Sequence, residues 1–271
     1  MFKIKITKTI KFKKIFEVIK DVFPEVYLQA NVDGILLYQK SPSSINDIYI
    51  LIAKLNNFEN FYTFENTDYE TEYLRIFDTN QIYKCIKNLT QTNSIDISNE
   101  NEFIILENKE KRIKHKVKYS NRNIPKNFLN ENIDISKPLG SFILNAREYT
   151  TIIKNIKSSD EFTEISLKLH HLKNGTKKLD FYTASVCQEF FQPIITKPHP
   201  NDAFEIPEKD IVVCEKCFFI SYLILFIKSI NLNSTMCLHF YEKGMMIQYE
   251  IDGIGQMVFY LNDSTSVNSW E

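Results

Sequence analysis

One short pattern recurs four times along the 271-residue chain and limits what the chain can fold into. It reads IFEVIK at Ile15–Lys20, IYKCIK at Ile82–Lys87, IIKNIK at Ile152–Lys157 and LILFIK at Leu223–Lys228, with starts separated by 67, 70 and 71 residues. A period that steady marks a repeated structural unit rather than chance runs of apolar residues.

Each segment has the shape of one helix face. At 100° per residue, Phe12, Ile15, Phe16, Ile19, Val22 and Phe23 share one arc, while Lys13, Lys14, Glu17, Lys20 and Asp21 share another. In the second copy Ile82, Tyr83 and Ile86 oppose Gln81, Lys84, Lys87 and Asn88; in the third Ile152, Ile153 and Ile156 oppose Thr151, Lys154 and Lys157. The wet arcs of these two carry lysine and no acid. The fourth, flanked by Phe218, Phe219, Tyr222, Leu225 and Phe226, is predicted to be the most buried, with Ser221 and Lys228 on its outer edge.

Hairpins follow the helices. Pro24 stops the first helix at Phe23, and VYLQAN, a turn at Val32–Gly34 and ILLYQ then read as paired strands. SLKLHHL and LDFYTAS flank a Lys173-Asn174-Gly175 turn, and TMCLHFY and MMIQYEI flank Lys243-Gly244; SIDIS and EFIILE form a weaker version in the second unit. Helices that are apolar on one side only, followed by antiparallel strands, imply helices on a sheet face, an α+β fold with the lysine arcs turned to water. Length and the fourfold repeat favour two similar domains, 1–120 and 141–271, joined by a loop over 121–140.

That joint has two parts. Lys109–Lys118 alternates Ile113 and Val117 with basic residues, which fits either a solvated edge strand protected by lysine or a strand that pairs with another chain. Asn121–Gly140 mixes Pro125 and Pro138 with Ile124, Phe128, Leu129, Ile133 and Ile135, a linker apolar enough to lie against something.

Charge and chemistry narrow the function. With 33 basic and 34 acidic side chains the net charge is −1, so any contact with nucleic acid must be local. No apolar run is long enough to cross a bilayer, and the five cysteines, an odd number, point to a reducing compartment. Cys214 and Cys217 form one C-x-x-C with no second pair at finger spacing, which reads as buried thiols rather than a metal site. There is no glycine-rich phosphate loop, nucleophile elbow or His/Asp/Glu cluster, and the His170-His171 pair just before a hairpin turn reads as solvent-facing rather than chemical. The expectation is a protein that is not an enzyme, with no catalytic residues, no metal and no cofactor.

The repeat and two local strings resemble the proliferating cell nuclear antigen (PCNA) family of DNA sliding clamps. FKKIFEVIKDVFPE with the Asp33-Gly34 turn is similar to that family's first helix and turn, and Tyr222–Leu261 to its closing helix and hairpins. The resemblance is specific over about the first 55 and last 45 residues and rests elsewhere on the repeat spacing. It implies two similar clamp domains, sheets outside and helices lining a central hole. The family's channel-lining basic positions fall on Lys13, Lys14, Lys20, Lys84, Lys154 and Lys228, to which the helical arithmetic adds Lys87 and Lys157. A partner-peptide pocket is implied at the Lys40–Ile48 loop, at Phe128, Leu129, Ile133 and Ile135 of the connecting loop, and at Tyr260. Lys173 matches a turn lysine that the family uses for attachment of ubiquitin-like modifiers. The chain departs from the family at Lys40-Ser41, where an apolar residue and an acid are usual, and at Asn262-Asp263, where Ala-Pro is usual.

The function implied is that of a processivity factor: a homotrimeric ring around double-stranded DNA that recruits a polymerase and other clamp-binding proteins and is placed by a clamp loader. Its subunit interface would pair Arg112, Lys114, Lys116 and Lys118 with Val186, Gln188 and Phe190 of a neighbour. The location implied is the nucleus, or a viral replication site for a divergent viral member. Three other readings stand beside it: a subunit of a heterotrimeric checkpoint-type clamp, a monomeric clamp-fold processivity or transcription factor gripping DNA by charge, and a structural repeat protein whose lysine faces are merely solvated.

Overall fold

The computed structural model describes residues 2–30, 34–40, 50–56, 62–66, 72–76, 78–91, 93–121, 137–159, 161–196, 207–227, 232–251 and 254–264. By packing, the chain divides into two units: Met1–Ser41, Ile50–Ile133 and Glu250–Val258 form the first, and Pro42–Tyr49, Asp134–Tyr249 and Phe259–Glu271 the second.

The first unit opens with β1 (Phe2–Ile6) and α1 (Thr9–Val22), followed by β2 (Val26–Ala30), β3 (Gly34–Lys40), β4 (Ile50–Asn56), β5 (Tyr62–Asn66) and β6 (Glu72–Ile76). α2 (Thr79–Ile86), β7 (Ile95–Glu100), β8 (Phe103–Asn108) and β9 (Ile113–Asn121) complete it. The strands run β4-β3-β2-β6-β9-β8-β7-β1-β5. Their registers are antiparallel, from Tyr27 opposite Tyr38 at the first hairpin to Phe103 opposite Lys118 between β8 and β9.

α1 forms where the apolar spacing places it. Phe12, Ile15, Phe16 and Ile19 are buried on one stripe, joined by Val18. It stops at Phe23, whose backbone is extended (φ −131°, ψ 120°) and whose N–H still donates to the Ile19 carbonyl at 2.8 Å, because Pro24 has no N–H to carry the ladder on. Asp78 caps α2 by accepting from the Gln81 N–H at 2.9 Å, which satisfies one of the helix's unpaired donors. At the other end of α1, the buried Thr9 hydroxyl bridges to the carbonyls of Thr90 (2.9 Å) and Asn93 (3.0 Å), which locks the start of α1 to the segment after α2.

The second unit contains β10 (Gly140–Asn145), α3 (Ala146–Lys157), β11 (Glu164–His171), β12 (Lys177–Ala184) and β13 (Glu189–Thr196). Then come β14 (Ile211–Phe219), α4 (Ile220–Leu225), β15 (Thr235–Tyr241), β16 (Gly244–Ile251), which belongs to this unit up to Tyr249, and β17 (Gly255–Asn262), which belongs to it from Phe259 on. One sheet runs β13-β12-β11-β14, and β10-β15-β16 pair in another. The Lys173-Asn174-Gly175 turn joins β11 to β12 as the sequence predicts, with Gly175 at φ 80°, a conformation a side chain resists. α3 buries Tyr149, Ile152, Ile153 and Ile156, and the Tyr149 hydroxyl donates to the Leu223 carbonyl of α4 at 3.1 Å.

α4 differs from its expectation. It has six residues, of which only Ile220 and Leu223 are buried, while Tyr222, Ile224 and Leu225 are half-buried. Its apolar run is longer than its helix, so uniform greasiness in the sequence did not translate into burial on every side.

Candidate nucleic-acid interface

In the first unit the lysines of α1 and α2 meet at the seam between the two helices. Lys13 Nζ donates to the carbonyls of Lys87 (3.1 Å) and Leu89 (3.2 Å), so its ammonium sits on the C-terminal end of α2, where the helix dipole favours a cation. Lys20 Nζ lies 3.0 Å from Asp21 Oδ1 and 5.0 Å from the centre of the Tyr83 ring, pairing with a carboxylate and an aromatic face at once. Lys14 is half-buried, and Lys84 and Lys87 are exposed. Lys111 adds another cation at this seam, its Nζ donating to the Asn88 carbonyl at 3.0 Å.

In the second unit Lys154 and Lys157 are exposed in the last turn of α3, opposite the buried isoleucines. Lys228 lies outside the described residues. Arg147, exposed in the first turn of α3, is a further cation on this helix. Seven residues before Lys154, it shares that lysine's helical azimuth, so a count extended by one heptad would have found it.

The strand edges have a definite arrangement. Among the described residues β13 ends its sheet and pairs with β12 only, and it presents Phe191 exposed beside its cross-strand partner Tyr182. Val186 and Gln188 are exposed just before it, and Phe190 is half-buried. In the first unit, residues 113–118 of β9 pair with β8, whereas among the described residues its pairing with β6 covers 119–121. Lys114, Lys116 and Lys118 are exposed there, with Lys116 3.6 Å from Glu100 and Lys118 3.7 Å from Glu102. Arg112 precedes them in a turn at φ 53°.

Residues 1–127 match the sequence profile of the proliferating cell nuclear antigen N-terminal domain. The whole chain superposes on the crystal structure of proliferating cellular nuclear antigen from Entamoeba histolytica, with a TM-score of 0.75, 13% sequence identity, and 97% of this chain and 98% of that one covered. The chain has the fold of a PCNA-family clamp. No curated protein matches it in sequence.

The carboxyl end of the chain is organised around a carboxylate. Asp263, where Pro is usual in the family, is buried: Oδ1 accepts from the Cys217 N–H at 3.1 Å, Oδ2 lies 3.1 Å from Lys216 Nζ, and its own N–H donates to the Lys243 carbonyl at 2.9 Å. Lys216 also donates to the Glu242 carbonyl, so one ammonium joins the end of β17 to the β15–β16 turn. Tyr260, expected at the rim of a peptide pocket, is 5% exposed. Its hydroxyl is pushed up to about 12 by burial, with Tyr241 and Asp263 adding to the effect. Lys40 closes β3, and Ile48, Phe128, Leu129, Ile133 and Ile135 lie outside the described residues. Lys173 is exposed at its turn, with its N–H donating to Asp210 Oδ1 at 2.8 Å.

Two thiol observations complete the site's chemistry. Burial pushes Cys214 up to about 11 and also raises Cys217, so the C-x-x-C pair is protonated at neutral pH. Among the described residues no cluster of three or more His, Cys, Asp or Glu is placed to hold a metal, and no helix is long and apolar enough to cross a membrane.

Proposed function

We propose that this protein is a DNA sliding clamp: a non-catalytic ring around duplex DNA, placed by a clamp loader, that keeps a polymerase and other clamp-binding proteins on their template. The single observation that carries the reading is the whole-chain likeness to a PCNA structure, end to end rather than over one domain. The exposed lysines of α2 and α3 support it, because loose, water-rich phosphate contacts hold a duplex without fixing register.

In this reading the chain comprises clamp domains 1–120 and 141–271 joined by the loop 121–140. The ring is a homotrimer, in which residues 113–118 of β9 pair with β13 of the next subunit, head to tail, so that rotation closes the assembly. Lys13, Lys14, Lys20, Lys84, Lys87, Lys154, Lys157 and Lys228 face the DNA, and the partner peptide lies against Lys40, Ile48, Phe128, Leu129, Ile133, Ile135 and Tyr260. The site of action is the nucleus or a viral replication site. Lys173 is the modifier attachment point.

The deciding experiment compares retention on circular and linear DNA. A closed ring stays on a nicked circle after loading and slips off when the circle is cut, whereas a charge-driven binder follows salt and ignores ends. Equal retention on the two templates at about 0.15 M salt, where exposed charges are screened beyond ~8 Å, rejects the topological reading.

A further inference from the structure

The chain contains one Asn-Gly step, Asn174-Gly175, and it lies at the tip of the β11–β12 hairpin. In an open chain such a step is chemically unstable. The glycine nitrogen gives up its proton to solvent and attacks the asparagine Cγ; the bond from Cγ to the side-chain nitrogen breaks, and ammonia leaves. The five-membered succinimide that remains is opened by water at either carbonyl, to aspartate or to isoaspartate. Glycine permits the attack most readily, because no β-carbon stands beside its nitrogen.

The folded turn holds both reacting groups. Asn174 is exposed and Gly175 is buried. The Gly175 N–H donates to the Leu172 carbonyl at 2.9 Å, and the Leu172 N–H donates to the Thr176 carbonyl at 2.9 Å. Gly175 has a positive φ and Asn174 does not, so Leu172–Gly175 is a type I turn closed by a left-handed glycine, a common three-residue hairpin loop. The Asn174 Oδ1 accepts from the Thr176 N–H at 3.0 Å and from the Thr176 hydroxyl at 2.6 Å. Outside the loop, the Lys173 N–H donates to Asp210 Oδ1 at 2.8 Å, which ties the turn to the residue before β14.

Two effects oppose each other here. Two donors on the side-chain carbonyl oxygen stabilise the negative charge that an attack on Cγ creates, as an oxyanion hole does. Geometry acts the other way. Ring closure needs the Gly175 nitrogen on the same side of the Asn174 Cα–C bond as Cβ, a rotation of about 120° from the ψ near 0° that the third residue of a type I turn adopts. That rotation breaks the bond from Gly175 to Leu172 and carries the Asn174 side chain off Thr176. A polarised carbonyl gains nothing from a nucleophile that cannot reach it, so geometry decides.

We propose that Asn174 is a spontaneous modification site gated by its own turn. It converts to aspartate and isoaspartate only when the β11–β12 turn opens, and Thr176 is the latch that keeps it closed. The isoaspartate product runs the main chain through Cβ and adds an atom to the loop, so the two closing hydrogen bonds cannot both re-form and the turn stays open. The aspartate product places a negative charge beside Lys173. The site belongs to the second unit alone and does not depend on the clamp reading.

The test follows the full-length protein and the synthetic peptide of residues 171–178 at neutral pH and body temperature. Mass spectrometry reads the exchange of amide for acid at Asn174, and labelling by an isoaspartate methyltransferase reads the isoaspartate product. The peptide should convert at least about tenfold faster than the folded protein, because only the open fraction of the folded turn reacts. Thr176→Val removes the hydroxyl donor, keeps the β-branched shape and should raise the rate in the folded protein about threefold or more, whereas Thr176→Ser should keep the wild-type rate. Melting curves show that both variants remain folded at the temperature of the assay. Equal rates in peptide and folded protein overturn the gate, and a Thr176→Val rate equal to wild type overturns the latch. Faster conversion in the folded protein than in the peptide overturns both, and would make the Thr176 donors activating.

Discussion

Lys216 and Asp263 form a nearly solvent-free ion pair, Nζ to Oδ2 3.1 Å, that fastens the end of β17 to β14. The role of the other carboxylate oxygen is structural too, since it accepts the Cys217 N–H. Asp263→Ala therefore leaves the half-buried Lys216 ammonium with half its partners and the Cys217 N–H without its acceptor, and should lower stability by about 1–3 kcal/mol. Replacing both residues with apolar ones of similar volume, Lys216→Met with Asp263→Leu, should recover most of that deficit. Urea denaturation of the three proteins checks the pattern, and a double variant no better than the single one would show that the Cys217 hydrogen bond dominates.

Lys13 and the exposed lysines should differ in what their loss does to stability. Lys13→Ala removes two hydrogen bonds to carbonyls at the end of α2 and should lower the melting temperature, at about 1 kcal/mol of stability. Changing Lys84, Lys87, Lys154 and Lys157 together to Ala should leave the melting temperature almost unchanged. The same change should flatten the log–log salt dependence of DNA binding by about 0.9 for each phosphate that is no longer neutralised. An unchanged slope would place the DNA on another surface.

His239 gives the fold an acid-side weakness. Its imidazole is held below the usual 6.5 because burial disfavours the charged ring, an effect that its hydrogen bond with Gln248 only partly offsets; the Ser141 hydroxyl lies 2.7 Å from Nδ1. The unfolded chain binds that proton more readily than the folded one. Stability from this group is therefore present above pH 6.5 and declines as pH falls through and below that value. Melting temperatures measured from about pH 8 to about pH 5 should fall in the wild type and fall less in His239→Gln.

Thiol labelling should follow exposure. Cys187 is exposed beside β13, whereas Cys214 is buried with its thiol pushed up to about 11. Iodoacetamide at neutral pH should alkylate Cys187 first and leave Cys214 intact until the protein is unfolded, as peptide mass spectrometry would show. If β13 is covered on association, labelling of Cys187 should also slow as protein concentration rises.

The oligomer can be weighed directly. Light scattering at micromolar concentration should give three times the 32.0 kDa chain mass, and Phe191→Asp, which places a charge on the exposed face of β13, should return it to one chain. A wild-type mass of a single chain would favour a monomeric clamp-fold factor.

The helices that the sequence showed best are those with one clean stripe. α1 and α3 each alternate a buried face with a charged one, so period alone placed Ile15, Ile19, Ile152 and Ile156 in the core. α4 was harder, because Leu223–Phe226 is apolar in every direction and carries no azimuthal information about which residues pack. The lysine faces were legible as faces but not as contacts: Lys13 finds its acceptors 74 and 76 residues away, a separation that no local pattern encodes. Asp263 was visible only as a departure from a family pattern, and its burial depends on Lys216 and Cys217 in a distant strand.

The two ammoniums at the α1–α2 seam have a mechanical meaning. Lys13 rivets one end of α1 to the last turn of α2, and Lys20 bears on the Tyr83 ring, so the helices are pinned at two points along their length. Two helices joined at a single point can swivel; joined at two, they act as a braced plate. A displacement of either helix along this seam therefore has to break or carry both contacts, one at each end of the pair.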